Sequence, residues 1–237
     1  MEKVGISKSD ILGVLIERPI GFSFNGKHFD IYPPSLGKLQ LMSILFEKIG
    51  ALSLGGTDNI YDFCYQRAES MKEDSLRLIC YATLQGDDCL SESKVKQRMT
   101  SLKKMERKDI ATLLVTILTL DKTDAIIRHF NIDEEMKKLE RISKVKAKGN
   151  SSYVSIGGKS LWGTLIDVAC ERYGWSFQYV LWGISYSNLR LMLSDQNRSI
   201  LLTKDERKYA RIPSDDIVIR ADDTKTLNDF IRTQNWK

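Results

Sequence analysis

Apolar residues recur mainly at helical spacing along this chain, and one short stretch near the N-terminus alternates instead. Ser9-Asp10 offers a cap before Ile11, Leu12, Val14, Leu15 and Ile16, which predicts a short helix. Pro19 ends it, since proline lacks an amide N–H and restricts the residue before it. Ile20, Phe22 and Phe24 then alternate with small residues. Asn25-Gly26 follows, and Phe29 and Ile31 alternate with Asp30 and Tyr32. Asn-Gly suits the two positive φ angles of a type I′ turn, so the pattern predicts a hairpin with strands of about five residues. A lone hairpin is marginal in water and must dock on something.

After Pro33-Pro34 the spacing turns helical. Ser35 can cap a helix running to Gly50, with Leu39, Met42, Leu45, Phe46 and Ile49 on one face. A loop with Gly55-Gly56 separates it from a helical stretch, whole or broken in two, over 58–84. Ser91 caps a further helix. Asp109 opens the most apolar run, Ile110, Leu113, Leu114, Thr116, Ile117 and Leu118, expected at the centre of the core. A short helix over 124–130 and a long charged one over 133–148 complete this region.

Gly149-Asn150-Ser151-Ser152 is small and polar and follows Lys144, Lys146 and Lys148, so a linker is expected at about 149–152. Beyond it, Ser160 can cap a helix carrying Leu161, Leu165, Val168 and Ala169 up to Gly174. Further helices are expected over about 176–182, from the Ser185 cap through Leu189, Leu191, Met192 and Leu193, from the Thr203 cap to Arg211, and over 224–232, with an apolar alternation at Ile217, Val218 and Ile219. The expected fold is mainly α: an N-terminal β-hairpin docked on a helical bundle within residues 1–148, then a smaller helical domain over 153–237.

Composition narrows the function classes. The 237 residues are 42% hydrophobic and 28% charged, enough for a sizeable core. The net charge of +5, from 36 basic and 31 acidic residues, does not call for a phosphate-rich partner. Basic side chains do gather over 94–108 and 137–148, where solvated helix faces compete with a nucleic-acid-contacting helix. Cys64, Cys80, Cys89 and Cys170 form no C-x-x-C pair and sit among apolar or aromatic neighbours, which predicts buried free thiols. The opening residues lack a secretory apolar run, and no stretch approaches the roughly 20 apolar residues of a membrane span. The expected setting is cytoplasmic and reducing.

Catalytic and metal motifs are weak. Gly157-Gly158-Lys159-Ser160 resembles the end of a P-loop, but Tyr153 stands where its first glycine belongs and no βαβ context precedes it. His28 and His129 are far apart in sequence; His28 is expected to be solvated and His129 to pack, with a metal site shared with Cys80 or Cys89 as the alternative. No G-x-S-x-G occurs. The acid pairs Asp87-Asp88, Asp215-Asp216 and Asp222-Asp223 read as loop or cap residues. No enzyme, metal or cofactor is therefore expected.

The densest feature is aromatic: Tyr173, Trp175, Phe177, Tyr179, Trp182 and Tyr186 fall within 14 residues. On an α-helix starting near Ser176, Tyr179 and Trp182 share a face. The cluster fills a small core or forms an anchor patch for a partner, since Trp and Tyr concentrate at binding hot spots.

The stretch Gly163-Thr164-Leu165-Ile166-Asp167, followed by Glu171-Arg172-Tyr173-Gly174-Trp175-Ser176-Phe177-Gln178-Tyr179-Val180-Leu181-Trp182, resembles the C-terminal part of tail assembly chaperones of long-tailed bacteriophages. Phe24-Asn25-Gly26-Lys27 to Ile31-Tyr32-Pro33 is similar to their opening hairpin. The resemblance covers about a third of the chain. It implies a non-enzymatic factor in the cytoplasm of a bacterial host that binds the tape-measure protein, keeps its apolar helices soluble, recruits tail-tube subunits and is absent from the finished particle. Tyr173, Trp175, Tyr179, Trp182, Tyr186 and Leu189 are the expected contact residues, and self-association is a further possibility. The alternatives are a structural virion component, such as a connector or tail-completion protein, and a nucleic-acid-binding regulator.

Overall fold

The computed structural model describes residues 7–54, 59–148, 160–196 and 200–212. They fall into two compact units, Met1–Asn131 with Ile156–Asp195, and Ile132–Ser155 with Gln196–Lys237. The fold is mainly α with a two-stranded N-terminal hairpin.

The first unit opens with helix α1, Lys8–Leu15. Its cap is Ser7, two residues before the expected one. Ser7 Oγ accepts from the Asp10 amide, and Asp10 reaches back to the Ser7 amide. This reciprocal box satisfies amides that a helix start otherwise leaves open. Strands β1, Ile20–Phe24, and β2, Lys27–Ile31, pair antiparallel. Asn25 and Gly26 take φ of 49° and 69°, the I′ geometry their identities predict. Phe22 pairs with Phe29 in register and the rings stack at 5.4 Å. The face bearing Phe22, Phe24, Phe29 and Ile31 docks on the helical core.

Five helices make that core: α2, Leu36–Ile49; α3, Ile60–Ser70; α4, Lys72–Thr83; α5, Glu92–Leu102; and α6, Arg107–Leu118. The stretch expected over 58–84 breaks at Met71, which leaves the helical region at φ −134°, ψ 45°. Asn59 caps α3 by accepting from the Tyr61 and Asp62 amides. Gly50 ends α2 in the left-handed region, as expected of a glycine there. The apolar run of α6 is the interior it was expected to be, with Ile110, Ala111 and Leu114 fully buried. Each fully buried Ile or Leu there contributes about 2 kcal/mol relative to exposure. Helix α4 is buried along most of its length, its Leu78, Ile79 and Cys80 inaccessible. Burial pushes the Cys64 thiol up to about 11 and the Cys80 thiol up to about 12, so neither is a ready nucleophile. All four cysteines are free; Cys64, Cys80 and Cys89 are buried and Cys170 is half-buried.

The carboxyl end of α4 is closed by two cations. Lys38 Nζ, on buried α2 backbone, donates to Leu84 O at 2.5 Å, and Arg98 Nη1 from α5 donates to Thr83 O at 3.1 Å. Carbonyls at a helix C-terminus lack intrahelical partners and carry the negative end of the dipole, so cations suit them. Lys38 is only 2% exposed, and burial pulls its ammonium down to about 8.

Helix α7, Thr123–His129, follows. The unit is completed by α9, Leu161–Tyr173, by a π-helical turn, Tyr179–Gly183, and by α10, Tyr186–Ser194. Ser160 and Ser185 cap α9 and α10 as expected, accepting from the Gly163 and Asn188 amides. These elements join the first residues of α2. Ser35 and Ser185 form a backbone bridge, and the Tyr186 amide donates to Pro34 O at 2.8 Å. Leu36 is buried together with Ala169, Val180, Ile184 and Leu189. Grouping thus follows packing rather than chain order; the linker expected at 149–152 lies outside the described residues.

The second unit contains α8, Ile132–Lys148, and α11, Lys204–Tyr209. Thr203 and Glu206 form a capping box on α11. Lys146 pairs with Glu206 at 3.1 Å, and Arg141 Nε donates to Ala210 O at 3.2 Å. The expected features over 215–232 lie outside the described residues. Among the described residues, no helix is long and apolar enough to cross a membrane.

Candidate functional site

The ring-rich segment begins where Gly174 ends α9 at φ 64°. That left-handed step turns the chain sharply and brings Trp175 beside Tyr173, with ring centroids at 4.7 Å. Ser176 Oγ accepts from the Tyr179 amide at 3.1 Å, which starts the next turn and sets Tyr179 edge-on to Trp175 at 5.1 Å. Tyr173 is anchored by its hydroxyl, which donates to Met192 O at 3.0 Å. Three rings therefore stand in a contiguous row, each fixed by a turn, a hydroxyl bond or a neighbouring ring.

The row is only half buried. Tyr173 and Trp175 are partly covered, Tyr179 is 44% exposed, and Phe177, the first helical residue after the loop, is 55% exposed. Such rings combine an apolar body with fixed geometry, the usual make-up of a binding anchor.

The expected α-helical pairing of Tyr179 with Trp182 does not occur. The turn is π-helical, with the Ile184 amide donating to Tyr179 O five residues back. This wider turn abolishes the i, i+3 facing of an α-helix. Tyr179 lies over Gly183, where a Cβ would meet its ring at 2.3 Å. Trp182 lies over Gly37 of α2, where a Cβ would meet the indole at 2.8 Å. Trp182 packs against the main core and is a structural side chain more than a contact. Tyr186 is half-buried against Trp162 at 6.3 Å, with Arg190 over its ring at 5.7 Å. Leu189 is 0% exposed and belongs to the core, which removes it from the contact set. Phe177 is the most exposed ring of the 173–186 segment and precedes the π-helical turn.

The remaining candidates resolve as follows. His28 is solvated, as expected, and faces Asp30 at 3.2 Å. His129 does not pack inside: it is exposed and meets Phe130 edge-on at 5.0 Å. Its short helix turns Ile126 and Ile127 inward instead. Among the described residues, no three His, Cys, Asp or Glu side chains gather as a metal set. Asp88 pairs with Lys94 at 2.5 Å beside the turn Gly86–Leu90. Ser160 serves only as the α9 cap; Gly157, Gly158 and Lys159 lie outside the described residues. Much of the basic charge is paired: Arg107 with Glu69, Lys137 with Glu134, Lys144 with Glu140. These are solvated helix faces laced with ion pairs.

Two polar groups, Glu17 and Lys38, have partners distant in sequence. Glu17, at φ 54°, accepts from the Ser185 amide at 2.8 Å and from Asn188 Nδ2 at 3.0 Å, so it closes the start of α10 from 168 residues away. No local pattern signals such a partner. Lys38 did leave a trace: Lys38, Met42, Leu45 and Ile49 fall on one helical stripe, which marks its position as interior. Comparison with family models, with curated proteins and with solved structures gives no match to this chain.

Proposed function

We propose that this chain is a non-enzymatic protein-binding assembly factor that grips apolar helical surface on a partner through Tyr173, Trp175, Phe177 and Tyr179. The observation that carries the reading is the fixed, half-exposed row of Tyr173, Trp175 and Tyr179, with Phe177, 55% exposed, between Trp175 and Tyr179 in the chain. Rings already held in place lose little conformational freedom on binding, so their burial converts efficiently into affinity. A partner with exposed amphipathic helices aggregates unless its apolar face is covered, and a ring-studded surface supplies such a cover reversibly.

The resemblance to tail assembly chaperones gives this reading its specific form: the partner is a tape-measure protein, tail-tube subunits are recruited to it, and the setting is the cytoplasm of a bacterial host. Co-expression with a tape-measure protein tests it. Wild-type chain is expected to co-purify with the partner and keep it soluble. The double variant Phe177→Ala, Tyr179→Ala is expected to release it by about tenfold, as hot-spot losses do. Undiminished co-purification by that folded variant sinks the surface, and failure of the wild type to keep the partner soluble sinks the reading.

A further inference from the structure

Helix α1 gains little from apolar burial. None of its residues is buried. Its largest apolar side chains, Leu12 and Leu15, lie at the surface, as does Ile16 at its C-cap, all more than half exposed. Ile11 and Val14 are only half-covered. Asp10, Gly13 and Val14 line a hollow of about 350 Å³ whose other wall includes Pro34, Leu120 and Ser187. The helix therefore spans a cavity, and the hydrophobic effect does little to hold it there.

Polar contacts at its two ends hold it instead. At the start, Asp10 pairs with Lys122 at 2.5 Å, with both side chains well exposed. Such a pair is weak in water and screened by salt. At the end, the Glu17 carboxylate accepts from the Ser185 amide at 2.8 Å and from Asn188 Nδ2 at 3.0 Å. Asn188 Nδ2 also donates to Leu15 O at 3.1 Å. The backbone here is strained. The Glu17 amide donates to Val14 O at 3.1 Å and the Arg18 amide to Gly13 O at 2.8 Å, the Schellman pattern of a helix end. Glu17 stands at its left-handed position, φ 54°, where glycine is usual and a side chain is disfavoured. Glycine would relieve that strain but offers α10 no carboxylate.

We infer that α1 is a hinged strap over this hollow. It swings as an intact helix about Glu17. The Asp10–Lys122 pair is its clasp, and the Glu17 carboxylate is the pin that keeps the hinge in its closed, strained conformation. The capping box of Ser7 and Asp10 travels with the helix. Opening bares the hollow and the Ser185 amide, while the hairpin and core helices lose little apolar cover. The inference stands whether or not the rings bind a partner.

Pulsed electron–electron distance measurement on the full chain tests it. Nitroxides go on Leu12→Cys and Thr112→Cys, both exposed positions, with Cys170→Ser so that only buried native thiols remain. A main short distance and a minor longer one are expected. Lys122→Met is expected to raise the open-to-closed ratio about threefold, the loss of one exposed ion pair. Molar salt should act in the same direction. Glu17→Ala is expected to raise the ratio about tenfold, since it removes two bonds to a charged acceptor. Glu17→Gly should raise it less than Glu17→Ala, because glycine accepts the left-handed hinge without strain. The amides of α6 should keep their hydrogen-exchange rates throughout. A single distance in every variant overturns the inference. So does an equal ratio in the Ala and Gly variants, or faster exchange in α6, which would make α1 part of the cooperative core.

Discussion

The surroundings of α4 and the segment from Tyr173 to Tyr186 are both rich in large side chains, and they use them in opposite ways. Around α4 most apolar side chains turn inward, and two of the cations there are committed as well: Lys38 and Arg98 donate to the helix's terminal carbonyls. In the ring segment a few side chains, Val180 and Trp182 among them, hold the turn down, while Phe177 and Tyr179 stay at the surface. The difference separates groups that stabilise the fold from groups left free to bind. Two neighbouring residues of a single turn can belong to different classes.

That contrast can be broken from its buried side first. Leu114→Ala, at a fully buried position on α6, is expected to cost about 3 kcal/mol, read by urea unfolding. A loss below 1 kcal/mol there denies that α6 is central.

Lys38→Met sharpens the same side through pH. The folded ammonium is held at about 8, below the ordinary value of 10.5. Between those two values the unfolded chain holds the extra proton and the folded chain does not, so stability rises with pH through that window. The stability difference, wild type minus Lys38→Met, is expected to climb by up to about 3 kcal/mol from pH 7 to pH 10.5. A flat difference contradicts the burial of the charge.

Gly37→Ala probes the join between the two regions. In an open helix the change to alanine stabilises by about 1 kcal/mol. Here the added methyl meets the Trp182 ring at 2.8 Å, so a net loss of about 1–2 kcal/mol is expected. The loss should shrink in a Trp182→Ala background, a coupling that a double-mutant cycle measures.

The smallest expected effect on stability lies on the exposed side. Phe177→Ala with Tyr179→Ala is expected to cost about 1 kcal/mol by urea unfolding, because Tyr179 keeps an edge contact with Trp175 and lies over Gly183 while Phe177 is mostly exposed. A large shift would return these rings to the core.

Much of the fold was readable because its signals are local. Asn25-Gly26, Gly50 and Gly174 mark backbone angles that only a few residue types accept, and Ser160, Ser185 and Thr203 mark helix starts. The apolar run of α6 announces its own burial. The site was harder for a physical reason. Tyr179 and Trp182 share a face only at 3.6 residues per turn, and a single π-helical turn removes that spacing. Leu189 was unreadable because α10 is covered by neighbours remote in sequence, and Glu17 because its partners lie beyond residue 180. Period and capping describe one element at a time; these positions are decided by which elements meet.

The backbone bridge between Ser35 and Ser185 bears on how the protein is made. A nascent chain emerging from the ribosome must wait for about 150 further residues before Leu36 and Gly37 receive their cover. Until then the hairpin and the five core helices have their own interior but an open flank at the start of α2. Contacts of such long sequence separation form late and slowly, so translation speed through the second half of the message sets how long that flank stays bare.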